Sequence, residues 1–326
     1  MSIATGIGSW PGTSVRDVLN EVRELLDGHL PYLPELPARG PGADMIGRTA
    51  GLLVELAVDL QPAGWRFVDR PGHDAQRTAA LLREDLDELA EAFDGHTGRL
   101  KLQVAGPWTL AAGIWLARGE RAVADEGACR DIAESLAEGV RGHVAAVRRL
   151  VPRAQVVVLV DEPSLAAVLA GRLPTASGLG RLPSVDPHVA AAAIGRVLEA
   201  PDGETIVHCC AGDPPLPLLR SVGATALSLD TSLLGPRGWE GVAVAVEDGI
   251  RLYAGAVPTS GATPSVQDIA SGLDDAWRRL GMPPAGLTDI VVTPACGLGG
   301  LAPDLARSVQ RAAVEVAAEL DERSVR

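Results

Sequence analysis

The chain has 326 residues, 47% of them hydrophobic and 22% charged, and a formal net charge of −13. Acidic residues are spread along it and no block of Lys or Arg occurs, which excludes nucleic acid and anionic membrane surfaces as partners, because both require concentrated positive charge. No apolar stretch reaches transmembrane length, and Met1 to Thr5 lack a basic segment followed by an apolar one, so a cytoplasmic protein without a membrane partner is expected.

Short runs of strand character alternate with longer amphipathic ones. Strands are predicted at Ile3 to Gly8, Trp65 to Val68, Leu100 to Ala105, Val156 to Val160, Thr205 to Cys209, Ala224 to Leu229, Ile250 to Ala254 and Asp289 to Thr293. Between them, apolar residues recur at three- and four-residue spacing over Val15 to Leu26, Asp74 to Phe93, Cys129 to Leu150, Pro187 to Leu198, Val266 to Leu280 and Pro303 to Leu320, the pattern of helices. Eight strand and helix units in a chain of this length predict an α/β fold, a TIM (β/α)8 barrel forming a single catalytic domain over residues 1–326. A doubly wound open sheet is the competing architecture. The Pro- and Gly-rich stretches Leu30 to Gly42 and Pro258 to Pro264 read as ordered loops near the active face.

In a barrel, function sits where strands end and their following loops begin. The polar residues at those points are Ser9, Asp161, Glu162, His208, Cys210, Asp230 and Cys296. The four cysteines, at 129, 209, 210 and 296, are too sparse for a disulfide framework, so reduced thiols are expected. Side chains two apart on a strand share a face, so His208 and Cys210 point one way and Cys209 the other. Two thiolates, an imidazole and a carboxylate from His208, Cys210, Asp230 and Cys296 make a tetrahedral set suited to Zn²⁺. Each alone has a blander role, since a strand-end Asp caps the next helix and a lone Cys serves as a small core hydrophobe.

In Asp161-Glu162-Pro163, Glu162 suits a helix first turn, and Asp161 is the better placed to hold a substrate ammonium group. The turn Gly6-Ile7-Gly8-Ser9-Trp10-Pro11-Gly12 offers backbone amides and a hydroxyl to a carboxylate or phosphate. It lacks the spacing of a dinucleotide or P-loop fingerprint. The remaining histidines, His29, His73, His96, His143 and His188, have no ligand spacing and read as structural.

Taken together, these segments resemble the catalytic C-terminal barrel of cobalamin-independent methionine synthase, of the uroporphyrinogen decarboxylase/methionine synthase-like superfamily. The resemblance rests on Ile7-Gly8-Ser9, Asp161-Glu162-Pro163, His208-x-Cys210, Asp230-Thr231-Ser232 and Pro294-Ala295-Cys296-Gly297-Leu298, and spans nearly the whole chain. It implies a homocysteine S-methyltransferase in which His208, Cys210, Asp230 and Cys296 bind zinc, and Ile7, Ser9, Glu35 and Asp161 hold L-homocysteine. Zinc would supply a substrate thiolate near neutral pH. Three departures stand out: Asp230 replaces the family's usual Glu, no counterpart of the full-length enzyme's N-terminal barrel is present, and the loop Gly255-Ala256-Val257-Pro258-Thr259-Ser260 lacks the family's histidine. No histidine follows His208. A folate amine leaves only when protonated, so losing that acid should slow the reaction by about 10² to 10⁴, whereas a methyl group on corrinoid cobalt needs no proton. Methylcobalamin, or a corrinoid carrier protein, is therefore the expected methyl donor in preference to 5-methyltetrahydrofolate or its polyglutamate. The alternatives are a zinc methyltransferase of the same superfamily acting on another thiol, and a non-catalytic zinc- or homocysteine-binding protein.

Overall fold

The computed structural model describes residues 1–260 and 264–325. Residues 261–263 of the predicted Pro258 to Pro264 loop, and Arg326, lie outside the described residues. The strands in chain order are β1 (Ile3–Ala4), β2 (Ala57–Gln61), β3 (Gly64–Val68), β4 (Arg99–Ala105), β5 (Gln155–Asp161), β6 (Thr205–Cys209), β7 (Ala226–Asp230), β8 (Arg251–Val257) and β9 (Val291–Pro294). Among the described residues, β2 and β3 form an antiparallel hairpin, and the others form a seven-stranded parallel sheet in the order β1-β9-β8-β7-β6-β5-β4.

The helices are α1 (Val15–Leu25), α2 (Met45–Ala50), α3 (His73–Ala92), α4 (Pro107–Gly113), α5 (Glu126–Leu150), α6 (Leu165–Leu169), α7 (Pro187–Leu198), α8 (Leu216–Ser221), α9 (Pro236–Glu247), α10 (Val266–Arg279) and α11 (Pro303–Ser324). Their starts follow capping chemistry. Ser14, Asp44, Asp125, Asp186 and Ser265 accept first-turn backbone N–H groups. Proline opens α4, α7, α9 and α11, where its missing N–H has no intrahelical partner to lose.

The two edge strands, β1 and β4, both hydrogen-bond to residues 30–35. Toward β1, Leu30 N donates to Ala4 O at 3.0 Å, Glu35 N to Gly8 O at 3.0 Å, and Trp10 N to Glu35 O at 2.9 Å. Toward β4, Leu33 N donates to Lys101 O at 3.0 Å and Lys101 N to Pro31 O at 2.9 Å. Pro31 and Pro34 have no N–H to contribute, so the pairing is discontinuous. This stretch, expected to be a loop, therefore does the pairing expected of Trp65 to Val68. That run instead belongs to the hairpin, where Trp65 Nε1 donates to Asp44 Oδ1 at the start of α2, 3.3 Å away.

Strand alternation sorts the side chains into two sets. Val156, Val158, Val160, Val207, Cys209, Leu227 and Leu229 join the large core shared with the helices. Val157, Leu159, Ile206, Ala226, Tyr253 and Val291 form a smaller apolar cluster with Leu30 on the opposite, inner face. The segment after Glu35 is held to α3 by charge: Asp85, 1% exposed, accepts from both Arg39 and Arg48, whose side chains are buried. Removing one partner of a buried ion pair strands the others without compensation. Asp85→Asn should therefore lower unfolding free energy by about 3 to 5 kcal/mol, read from the urea midpoint.

Candidate active site

The inner face changes character along each strand. Val157 and Leu159 give way to Asp161 on β5, Ile206 to His208 and then Cys210 at the end of β6, and Ala226 to Ser228 and Asp230 on β7. Parallel register puts Asp161 beside His208, His208 beside Ser228, and Asp230 beside Gly255. Cys209 points the other way, into the apolar core.

His208, 1% exposed, is hydrogen-bonded through Nδ1 to Ser228 Oγ at 2.9 Å. Burial, with the charge of Lys101 second, lowers its pKa to about 4. The ring is thus neutral at pH 7, the state in which imidazole binds metals. Cys210 and Cys296 lie close enough for each thiol to act on the other's ionisation. The Cys210 side chain, aided by the Gly297 N–H, lowers the pKa of the more exposed Cys296, and the same interaction pushes Cys210 up. Gly255 permits the strand ends to close on one another, since a Cβ there would stand 2.7 Å from Leu229 O and 3.1 Å from Ala295 Cα. Asp230 lies near enough to act electrostatically on Cys296, while its Oδ1 accepts from Ser232 N at 3.0 Å and Ser232 Oγ at 2.6 Å.

Among the described residues, no three His, Cys, Asp or Glu side chains are gathered closely enough to hold a metal ion. The structure brings Cys210 and Cys296 together and leaves His208 and Asp230 engaged with Ser228 and Ser232. The donor chemistry fits zinc: two thiols with one lowered pKa, a neutral imidazole oriented by a hydroxyl, and a carboxylate, all at neighbouring strand ends.

The expected substrate residues form a second group. Ser9 Oγ accepts from Gly299 N at 3.1 Å and Ser9 O from Leu298 N at 2.9 Å, which docks the turn after β1 onto the segment following Cys296. A Cβ at 297 would stand 2.2 Å from Ser9 Oγ, so any larger residue there would displace that hydroxyl. On its other side Ser9 bridges Glu35 in parallel register. Glu35 and Asp161 are 5% and 8% exposed. Burial raises both pKa values, and the charge of Glu35 further raises that of Asp161. Asp161 Oδ1 is buried with no hydrogen-bond partner, an orphaned acceptor that a ligand donor would satisfy. The Ile7 carbonyl accepts from Lys101 Nζ at 2.7 Å.

Glu162 is fully committed within the protein. Its carboxylate accepts from Trp108 N at 2.9 Å, Thr109 N at 2.8 Å and Thr109 Oγ1 at 2.7 Å, closing the N-terminus of α4. Burial raises its pKa to about 7, against the pull of those bonds. Lys101 and Gln103, which line the inner face of β4, are absent from the expected site. The sequence does carry a signal for the first: of its 29 basic residues other than histidine, Lys101 is the single lysine.

Residues 1–319 match the family described as cobalamin-independent synthase, catalytic domain. The chain belongs to that family. Among solved structures, it is similar to a B12-independent methionine synthase from Shewanella sp. W3-18-1 in complex with selenomethionine, with 15% identity and a TM-score of 0.53 over 73% of this chain and 66% of that one. At that identity the likeness is one of fold, and the chain spans just under two thirds of that protein. The carboxyl transferase domain of Rhizobium etli pyruvate carboxylase with 3-bromopyruvate aligns at 13% identity over 71% of this chain and 43% of that one, but its TM-score of 0.26 carries no argument. No curated relative matches. The family description conflicts with methylcobalamin or a corrinoid carrier protein as methyl donor. That expectation rested on departures from the family pattern, the missing histidine among them, and none of these is evidence for a corrinoid donor.

Thiolate, not thiol, reacts with alkylating agents. In metal-free protein, alkylation of Cys296 by iodoacetamide should therefore have its pH midpoint below that of an ordinary thiol, because the Cys210 side chain lowers its pKa. Cys210→Ala, which removes the neighbouring donor, should move that midpoint up toward an ordinary thiol, as peptide mass spectrometry across a pH series would show.

Proposed function

We propose that this domain methylates the thiol of L-homocysteine to give methionine, with 5-methyltetrahydrofolate or its polyglutamate as methyl donor and zinc held by His208, Cys210, Asp230 and Cys296. The observation that carries this reading is the orphaned Asp161 carboxylate oxygen, buried beside Glu35 on the same inner face as the Cys210 and Cys296 thiols. Two buried carboxylates share one buried ammonium, that of Lys101, and a substrate α-ammonium group supplies the second positive charge. Ser9, docked between Glu35 and Gly299, and the Ile7 backbone receive the α-carboxylate.

Zinc, when bound, supplies the positive charge that ionises a substrate thiol near neutral pH. The protein's own groups serve that end: burial keeps His208 unprotonated, Cys296 gives up its proton readily, and Ser228 orients the imidazole. Holding ammonium and carboxylate at two fixed points leaves the thiol one direction in which to lie, which is how positioning lowers a transfer barrier. The fold reading that goes with this function is a closed TIM barrel forming one domain over residues 1–326, with residues 30–35 as its second strand; the hydrogen bonds from that segment to both β1 and β4 support it. A cytoplasmic location accords with four free cysteines, and no described helix is long and apolar enough to cross a membrane.

The test is methionine formation by zinc-loaded protein from homocysteine and 5-methyltetrahydrofolate, as mono- and polyglutamate, with methylcobalamin in parallel. Methionine from a folate is expected. Asp161→Asn should raise the homocysteine KM roughly 10- to 100-fold by removing a charged hydrogen-bond acceptor, and Cys296→Ala should weaken zinc binding, read by competition with a chelator. Methionine from methylcobalamin alone would overturn the donor, and turnover of a thiol lacking an amino group in preference to homocysteine would overturn the substrate.

A further inference from the structure

Lys101 stands apart in both sequence and structure. The chain uses arginine at 28 of its 29 Lys and Arg positions, and the single lysine falls on the inner face of β4 with 0% exposure. Its ammonium donates to Ile7 O at 2.7 Å and approaches Gln103 Oε1 at 3.4 Å, and it lies 4.8 Å from the centre of the Tyr32 ring. Glu35 and Asp161 are the charges that act on it. Gln103 in turn donates through Nε2 to Leu33 O at 2.5 Å. Two inner residues of β4 thus pin both irregular segments, the Ile7 to Ser9 turn and the 30–35 stretch that presents Glu35.

Burying an ammonium is costly, and a well-packed apolar side chain is often the more stable choice for an interior position. On the next strand the inner positions Val157 and Leu159 are filled in that way. A composition that otherwise favours arginine keeps lysine here, where a compact point charge on a slim stem fits and a planar guanidinium fork does not. Lysine thus brings to this interior position a charge that an apolar side chain would not.

We propose that Lys101 is a positioning residue of the substrate pocket: its ammonium fixes the Ile7 carbonyl and supplies the positive charge that allows a substrate α-carboxylate to lie close to Glu35 and Asp161. The inference rests on the homocysteine reading above and adds its counter-charge. With its donors met by Ile7, Gln103 and the Tyr32 face, Lys101 acts through the turn it holds and the charge it brings.

The experiment compares L-homocysteine with its decarboxylated analogue, 3-aminopropane-1-thiol, binding to zinc-loaded full-length protein by calorimetry. Wild-type protein should prefer homocysteine. Lys101→Met should weaken homocysteine roughly 10- to 100-fold and leave the analogue's Kd within a few-fold, so that the preference collapses. General damage to the fold would lower the binding-competent fraction for both thiols alike. A preference that persists in Lys101→Met, or an equal loss for both ligands, would overturn the inference while leaving the homocysteine reading intact. Wild-type protein that binds neither thiol would overturn both. Should Lys101→Met fail to fold, lysine labelled with ¹³C at Cε gives a single side-chain resonance in wild-type protein. It should shift on addition of homocysteine and stay in place with 3-aminopropane-1-thiol; no response to homocysteine contradicts the proposal.

Discussion

The two-residue alternation of parallel strands held in fixed register is the constraint on which this site depends. Because Asp161 pairs with His208 and His208 with Ser228, one row of inward side chains is a carboxylate, an imidazole and a hydroxyl. One step further along, Cys210 and Asp230 project from the ends of the same strands. A one-residue slip of β6 would send His208 into the helix-facing core and bring Cys209 inward. The chemistry is thus tied to the apolar rows beneath it, since Val157, Ile206 and Ala226 on the inner face and Val158, Val207 and Leu227 on the outer face fix which residue points where.

Polar groups concentrated in this way oppose stability, and the surroundings show how they are accommodated. Glu162 spends its carboxylate on the N-terminus of α4, and Asp85 on two guanidinium groups, so both are satisfied by the protein itself. Asp161 keeps an unsatisfied buried oxygen, and Cys210 and Cys296 stand within each other's influence at the strand ends. Buried groups left partly unsatisfied mark the place where a ligand completes the structure. Burial also sets the protonation states: it lowers His208 to about 4 and Lys101 to about 7, and raises Asp161 and Glu35. Lys101 and the two carboxylates lessen one another's shifts, as charges of opposite sign do when they share a pocket.

Much of this was legible in the amino-acid sequence because it follows from period. The amphipathic runs at Val15, Asp74, Pro187, Val266 and Pro303 became helices within a residue or two of their predicted starts, and seven strand runs overlap strands of the parallel sheet, the first of them only at Ile3–Ala4. The second strand position was misread for a physical reason. Pro31 and Pro34 remove ladder donors and give the segment the composition of a loop, while Trp65 to Val68 has strand character and spends it in a local hairpin. Glu35 entered the expected site through the family resemblance alone, and the structure places it 5% exposed and near enough to Asp161 to act on its charge. Lys101 went unnoticed because a charged residue inside a predicted strand reads as solvent-facing until the register is known. The grouping of metal donors lies beyond sequence altogether, since Ser228 and Ser232 compete for His208 and Asp230 through contacts that no spacing rule reveals.

Whether His208, Cys210, Asp230 and Cys296 assemble around one ion is the question on which the functional reading turns. X-ray absorption at the zinc edge, on protein loaded with one equivalent of the metal, addresses it directly. Two sulfur scatterers with two lighter nitrogen or oxygen neighbours are predicted, falling to one sulfur in Cys296→Ala. A zinc shell without sulfur, or a shell unchanged by that substitution, would contradict a shared site at these strand ends.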